Sequence, residues 1–532
     1  MNKKNILAVA CLSATAITAM TGCKKVTAGG ESTIQIRVYS GGYGTAWLHE
    51  ITDKFEDAFP QYKVQYVEES GLVSQTAENE MLTPNKNQID LYFTNGTHVS
   101  NLISKSRGIL RTNNQTLLEP LDDVFESKAI GYDGKEESKT IKERFFDGYD
   151  EAFTYNGSVE KWHGNKYSLP WADATTGLFV NKSVLDKYGL DMPLTTDEFI
   201  NTVEVISSHT AADKVYPMSM AGNNAPGYML YLYEIWFAQY SGKEGYDNFI
   251  KCDPGNGNIE KEGYKVYEDK GILETLKVFE QFCKLDYFPN GSVDKPHTDA
   301  QNELINGKTA YMVDGEWMLH EMISEYPEVK DIVMLSAPIL SCIGKEAGIT
   351  DAQLHDVVAA IDEGKNNDQV KQAVPAASLD LIERVRAARS VHSGIGVGHT
   401  MEMPSSSDAK EATKKLIRFI YSEDGCRTFR NKAYGNLPLD YTIRENDKHN
   451  AFLDSVDKVL HTGQPTMVSE SLQLNDVRSL SQMYFFNVTA WQHPGTFKAI
   501  MLSKGAITAQ KIYEDEAAYM KSSWDKYMSF VF

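Results

Sequence analysis

Cysteine is scarce: six in 532 residues, and two of those fall at Cys11 and Cys23. So few thiols exclude a disulfide-dense scaffold, and with no Cys-x-x-Cys pair a zinc ribbon or thioredoxin-type site is excluded as well. Cys252 and Cys283 could be bridged in an exported protein; four buried free thiols, Cys252, Cys283, Cys342 and Cys426, are the alternative. Basic residues are outnumbered, with Lys+Arg 53 against Asp+Glu 73 and a formal charge of −20. That surface repels a phosphate backbone, so nucleic acid is not an expected partner. Beyond the N-terminus no run of eighteen apolar residues occurs, and no membrane-spanning helix is expected in the mature chain.

Catalytic and metal motifs are missing too. His49-Glu50-Ile51-Thr52-Asp53 and His320-Glu321-Met322-Ile323-Ser324 both lack the second histidine of a zinc pair. There is no nucleophile elbow, no phosphate-binding P-loop, and Gly394–Gly398 lacks dinucleotide-binding spacing. Asp253–Asn258 could wrap calcium, but a plain turn suits it better. No metal or cofactor is expected. Asp173, Asp314 and Glu316 would be the acids of a glycosidase, if there were one.

What is present begins with an address. Lys3 and Lys4 precede Ile6–Met20, broken only by Ser13, Thr15 and Thr18, which has the form of an export signal. It ends in Met20-Thr21-Gly22-Cys23, similar to a bacterial lipobox, so Cys23 is the expected lipidation site and residues 24–33 a polar tether. Removing residues 1–22, with two lysines and no acid, takes the charge from −20 to −22. The remaining length and its ordinary composition, 42% hydrophobic and 24% charged, suit two or three globular domains.

Ile34, Ile36 and Val38 alternate with polar residues as in a strand. Ser40–Gly44 breaks it. Trp47, Ile51, Phe55 and Ala58 then mark one face of a helix that Pro60 stops, and Lys63–Val67 is a second strand. This β-loop-α-β unit predicts parallel pairing. Asp90–Phe93 and Gly177–Lys182 are further strands; Thr195 to Phe199 and Asp408–Glu411 are expected helix starts, the latter with a capping box. Residues 341–392 have the pattern of an inserted hairpin of two amphipathic helices. The first starts at Thr350 and buries Leu354, Val357, Val358 and Ile361. The second buries Leu379, Ile382, Val385 and Ala388, and 363–368 is the linker.

Aromatic side chains recur in polar, Gly-rich loops: Tyr43, Trp171, Tyr228, Trp317 and Trp491. Near them stand Asn95, Thr97, Asp173, Asn223 and Asn224. A pyranose stacks its C–H faces on flat rings and offers hydroxyls to amides and carboxylates, so this mixture suits a carbohydrate. The aromatic loops contain no Arg cluster, which disfavours an anionic solute.

The order of segments resembles the family-1 extracellular solute-binding proteins of ABC importers, the group that includes the maltose-binding protein. The resemblance rests on the lipobox, Phe55–Pro60, Gly108-Ile109-Leu110, Leu118–Asp122, Lys166–Pro170, Phe179–Lys182, Tyr188-Gly189-Leu190 and Pro193–Phe199. It continues through Asn306–Met312 with Gly315-Glu316-Trp317, and Ser422–Gly425. It implies a two-domain α/β periplasmic-binding-protein-like fold of type II, each domain a sheet flanked by helices, with crossing hinge strands. It also implies no catalysis, a neutral oligosaccharide ligand, ABC permease subunits as partners, and a monomer anchored through Cys23 to the outer face of the cytoplasmic membrane. Trp317, Trp491 and Tyr228 fall at stacking positions of sugar-binding relatives, and Asn95 and Thr97 at hydrogen-bonding ones. Tyr43 replaces charged residues of maltose-binding relatives, and 341–392 is extra. The expected division is 1–22 signal peptide, 23–33 tether, a first domain of 34–173 and 314–340, a second of 174–313 and 393–532, and the insertion. Hinge crossings are expected near Asp173–Gly177 and Thr309–Asp314. Alternatives are a peptide or small-metabolite solute on the same fold, or a surface glycosidase.

Overall fold

The computed structural model describes residues 32–71, 73–96, 99–157, 159–327, 330–394, 398–460, 466–468 (backbone only) and 497–529. Thr33–Tyr39 forms β1, the helix Ala46–Ala58 follows, and Lys63–Glu69 forms β2, parallel to β1. Both faces of β1 are covered. Ile34, Ile36 and Val38 enter the core, while Arg37 on the other face pairs with Glu69 and with Glu80 at 2.7 Å. Leu91–Phe93 (β3) lies parallel on the far side of β1. Lys128–Ile130 and Glu136–Thr140 (β4, β5) make a separate hairpin, and Leu169–Pro170 is β6.

Thr175–Asn181 (β7) opens a second sheet. Tyr216–Ser219 (β8) pairs in parallel with Thr309–Gly315 (β9), which is antiparallel to β7. Ile332–Leu335 (β10) and Val391–Gly394 (β11) pair with successive stretches of β7. Thr400–Glu402 (β12) returns to the first sheet, and Thr466–Val468 (β13) pairs with β11. The first sheet therefore runs β2-β1-β3-β12-β6; the second runs β13-β11-β7-β9-β8, with β10 on β7.

The segment assignment departs from the expected division in two places. Residues 314–340 stay with the second sheet: β10 is zipped to β7, and the helix Ala451–Leu460 covers it, with Phe452 stacked on Phe179 at 5.1 Å. Conversely, β12 and the helices Lys410–Ile420 and Glu423–Ala433 join the first sheet, because Met401, Leu416, Phe419 and Phe429 pack with Trp47 and Phe55. The crossings shift accordingly. Residues 171–174 do link β6 to β7, but β9 lies wholly in the second sheet. The chain returns instead between Gly394 and Thr400, and leaves again through 434–450. Ala174 and Tyr434, each at a crossing, have left-handed backbone (φ 54° and 57°).

The insertion is four helices rather than two: Ser341–Glu346, Asp351–Asp362, Asn367–Ala373 and Leu379–Arg389. The expected linker holds a third start, Asn366, boxed with Gln369 exactly as Thr350 is with Gln353. Leu379, expected to be buried, is 46% exposed; Leu381 takes its place. These helices are continuous with the second core, and Arg389 donates to Ala337 O at 2.9 Å while pairing with Asp362. At 408–411 the capping box does not form: Ala409 is the cap, and Ser407 Oγ accepts its N–H while donating to Asp90. The cysteines at 252, 283, 342 and 426 are free thiols, so no bridge joins Cys252 to Cys283. No helix among the described residues is long and apolar enough to cross a membrane.

Candidate solute-binding site

The two sheets meet where the loop after β1 faces the end of β9 and the start of the long helix Met229–Lys251. Glycine makes the approach possible. Gly42 and Gly44 have φ of 66° and 63°, and a side chain on Gly44 would stand 2.8 Å from the His320 ring. Trp317 Cβ lies 3.5 Å from where a Cβ on Gly42 would be, so the indole reaches across from the second sheet into the first core.

Trp317 is 6% exposed. Its ring meets Tyr228 edge-on at 5.7 Å, Tyr231 at 6.4 Å, and lies over His399 at 6.1 Å with 30° between planes. Tyr228 and Tyr231 are themselves offset-stacked at 5.4 Å. Trp317 and Tyr228, each expected separately to stack on a solute, thus lie against one another, with Tyr231 and His399 beside them. Tyr231 was legible, since a residue three positions on shares the helix face. His399 carried no signal; only the return of the chain into β12 brings it there. Burial holds its ring neutral, with a pKa lowered to about 3, and its Nδ1 has no hydrogen-bond partner.

Beside the rings lies a polar group. Gln301 Nε2 donates to Asp314 Oδ2 (3.0 Å) and Glu321 Oε2 (2.8 Å), and Glu321, 20% exposed in its side chain, reaches His297 Nε2 at 3.8 Å. Burial raises the Asp314 carboxyl well above the usual range, and the Glu321 charge adds to this. The Tyr39 hydroxyl is raised by burial and then by Glu321.

Other expected contacts are spoken for by protein partners. Trp171 is fully buried, stacked on Trp47 at 5.8 Å, with its indole N–H given to Thr94 O. Asp173 is fully buried and accepts from Tyr149 and Thr175. Tyr43 is 1% exposed, packed on Phe429 and Trp171, with its hydroxyl on Glu316 at 2.9 Å. These three are corrected from solute-facing groups to the packed floor beneath the site. Asn95 Oδ1 accepts from Ser74 Oγ (2.9 Å) and Val73 N, fixing the start of the helix Ser74–Met81. Asn224 Oδ1 accepts the His297 N–H, and its Nδ2 donates to His297 Nδ1 at 2.6 Å. Asn223 is exposed, its backbone N–H on Lys295 O. Thr97, Trp491 and Cys23 lie outside the described residues.

The arrangement offers flat apolar rings and carboxyl and imidazole edges. Full burial of Asp173, Asp314 and Glu316 leaves none of the glycosidase candidates open to a substrate. The Asp253 carboxylate accepts from Gly255 and Gly257 N–H, a plain turn, and among the described residues no group of three His, Cys, Asp or Glu could hold a metal ion.

The fold is thus a two-sheet α/β arrangement with aromatic rings where the sheets meet. The chain belongs to the bacterial extracellular solute-binding protein family, whose sequence profile matches residues 41–425. Members are non-catalytic receptors that deliver solute to ABC transporters. No curated protein matches the sequence. Among solved structures, the solute-binding protein RafE in complex with raffinose is 14% identical with a TM-score of 0.58, over 93% of this chain and 99% of that one. An ABC transporter solute-binding protein of Thermotoga lettingae TMO, bound to α-D-tagatose, is 15% identical (TM-score 0.54; 93% and 100% covered). A chitin oligosaccharide binding protein is 14% identical (TM-score 0.54; 92% and 100%). At these identities the likeness is one of fold.

Proposed function

We propose that this protein captures a carbohydrate, a neutral oligosaccharide, between two lobes and delivers it to the permease subunits of an ABC importer while tethered outside the cytoplasmic membrane through a lipid on Cys23. One lobe is built on the first sheet with residues 398–433, the other on the second sheet with the insertion and the C-terminal helices. The observation that carries the reading is the Trp317–Tyr228–Tyr231 cluster at the seam, with Glu321 and His399 at its edge. Rings of this kind stack on pyranose C–H faces, and the polar edge takes hydroxyls. Asp314 and Glu321, bridged by Gln301, stand beside the rings, and acids there disfavour an anionic solute. Raffinose, tagatose and chitin-oligosaccharide binders share the fold, which supports the sugar class.

Thermal-shift screening against a glycan panel tests this. A ligand at 100 times its Kd stabilises by about 2.7 kcal/mol. A glycan that raises the melting temperature, with the glycan recovered intact by chromatography, is the expected result; peptides or polyamines shifting the protein while no glycan does would refute it. Separately, Cys23→Ser should release the protein from the membrane fraction, and retention of that variant would dismiss the lipid anchor.

A further inference from the structure

The long helix Met229–Lys251 presents Tyr228 and Tyr231 at its front and is gripped by the insertion further back. Gly242, with φ 71° and ψ 175°, breaks it, so the rigid piece ends at Ser241. A helix that stops leaves its last carbonyls without intrahelical donors. Arg384, in the last helix of the insertion, donates to one of them, Tyr240 O, at 3.3 Å, and its guanidinium lies over the Tyr240 ring at 5.2 Å. Glu346, which ends the first insertion helix, accepts from the Tyr240 hydroxyl at 2.8 Å.

One turn earlier the grip is buried. Trp236, fully buried, gives its indole N–H to Pro338 O at 2.9 Å. Gln239, 2% exposed, donates from Nε2 to Ala337 O (3.4 Å) and accepts the Leu340 N–H at Oε1 (3.2 Å). Residues 336–340 are the approach to the insertion, and the insertion holds them from its other end. Arg389 donates to Ser336 O (3.0 Å) and Ala337 O (2.9 Å), and its charge is matched by Asp362 at 2.7 Å. Ala337 O therefore takes one donor from the ring-bearing helix and one from the insertion. Gln239 lies about 12 Å along the axis from Tyr231, a distance a rigid helix spans without loss of register.

We infer that the insertion positions the site: by fixing the rear of this helix it sets where Tyr228 and Tyr231 meet Trp317. Rings that bind a solute must be held to about 0.5 Å, and supporting hydrogen bonds supply that precision. Gln239, Arg384 and Arg389 are thus positioning residues, acting through the helix rather than on the solute.

The inference rests on the reading of these rings as the solute's platform, but its first test needs no solute. The full chain is labelled with 5-fluorotryptophan, and the Trp317 resonance is assigned by its loss in Trp317→Phe. Gln239→Leu should shift and broaden that resonance while Trp524, packed in the second core, keeps its own. Arg389→Lys retains the charge beside Asp362 but not the forked donation, and should displace the Trp317 signal less; it keeps the test decisive if Gln239→Leu fails to fold. A Trp317 signal unmoved in a folded variant, or a Trp524 signal that moves as far, overturns the inference. A glycan of the panel, raffinose included, that binds the wild type should bind Gln239→Leu about 2- to 30-fold more weakly. Equal affinity refutes the positioning and leaves the sugar reading in place. A displaced Trp317 signal with no glycan bound by the wild type refutes the sugar reading and leaves the positioning of the rings.

Discussion

Trp317→Ala probes the site where its chemistry is most concentrated. The indole touches three rings, Tyr228 at 5.7 Å, Tyr231 at 6.4 Å and His399 at 6.1 Å, and is 6% exposed before any solute arrives. An aromatic contact contributes about 0.5–1.5 kcal/mol beyond its area, and truncating a central interface tryptophan removes burial besides, so the loss of binding should be about 2–4 kcal/mol. That is a weakening of about 30- to 700-fold, since each ~1.4 kcal/mol is tenfold. Stability should fall too, toward the roughly 3–5 kcal/mol of buried aromatic truncations, because the ring fills the first core from the opposite sheet. Binding is therefore read by calorimetry well below the melting temperature, with the glycan that gives the largest thermal shift and with circular dichroism as the folding control. Trp317→Phe retains a flat ring and should lose far less. A folded Trp317→Ala protein with wild-type affinity would show that the ring is packing alone.

Three further expectations concern stability. Leu354 is fully buried where the insertion joins the second core, so Leu354→Ala should cost about 2–5 kcal/mol in urea unfolding. Replacing 342–391 by a short linker should abolish cooperative folding, whereas an unchanged unfolding midpoint would show the insertion to be an independent appendage. Glu516, 4% exposed on the helix Ala509–Met528 with Oε1 unpartnered, has a pKa raised to about 8 by burial and then by Asp515. A raised acid stabilises most below its unfolded value near 4.5, and that contribution is lost as pH climbs to 8. Stability, and with it the melting temperature, should decline across this window, by at most on the order of 5 kcal/mol. Glu516→Gln should flatten the decline, and an unaltered profile would count against it.

Local elements were the most legible. β1, the Trp47–Phe55 helix face and β2 stand where periodicity puts them, and Thr195–Glu198 and Thr350–Gln353 form the capping boxes their spacing requires. The largest failures are of long range. Nothing in the apolar alternation of β10 or β12 says which sheet will receive it, because either sheet satisfies the same pattern; pairing partners over 140 residues away decide. The third insertion helix was hidden because Asn366, Asn367 and Asp368 suit a linker and a helix start equally. At the site, polar loop composition around Tyr43, Trp171 and Asp173 pointed to a solute, yet the fold turns those side chains inward to hold Glu316 and the first core. Trp317, 6% exposed, and the half-buried Tyr228 come together where the sheets meet, and their neighbours Tyr231 and His399 emerge only when the helix and the chain entering β12 converge.

The most direct measurement is the structure of the complex with the glycan that gives the largest thermal shift. A sugar ring lying on Trp317, flanked by Tyr228 and Tyr231 and hydrogen-bonded to Glu321 or His399, uncleaved and enclosed by both sheets, is the predicted result. A glycan bound to one sheet alone, away from Trp317, or found only as its hydrolysis product, would contradict the account.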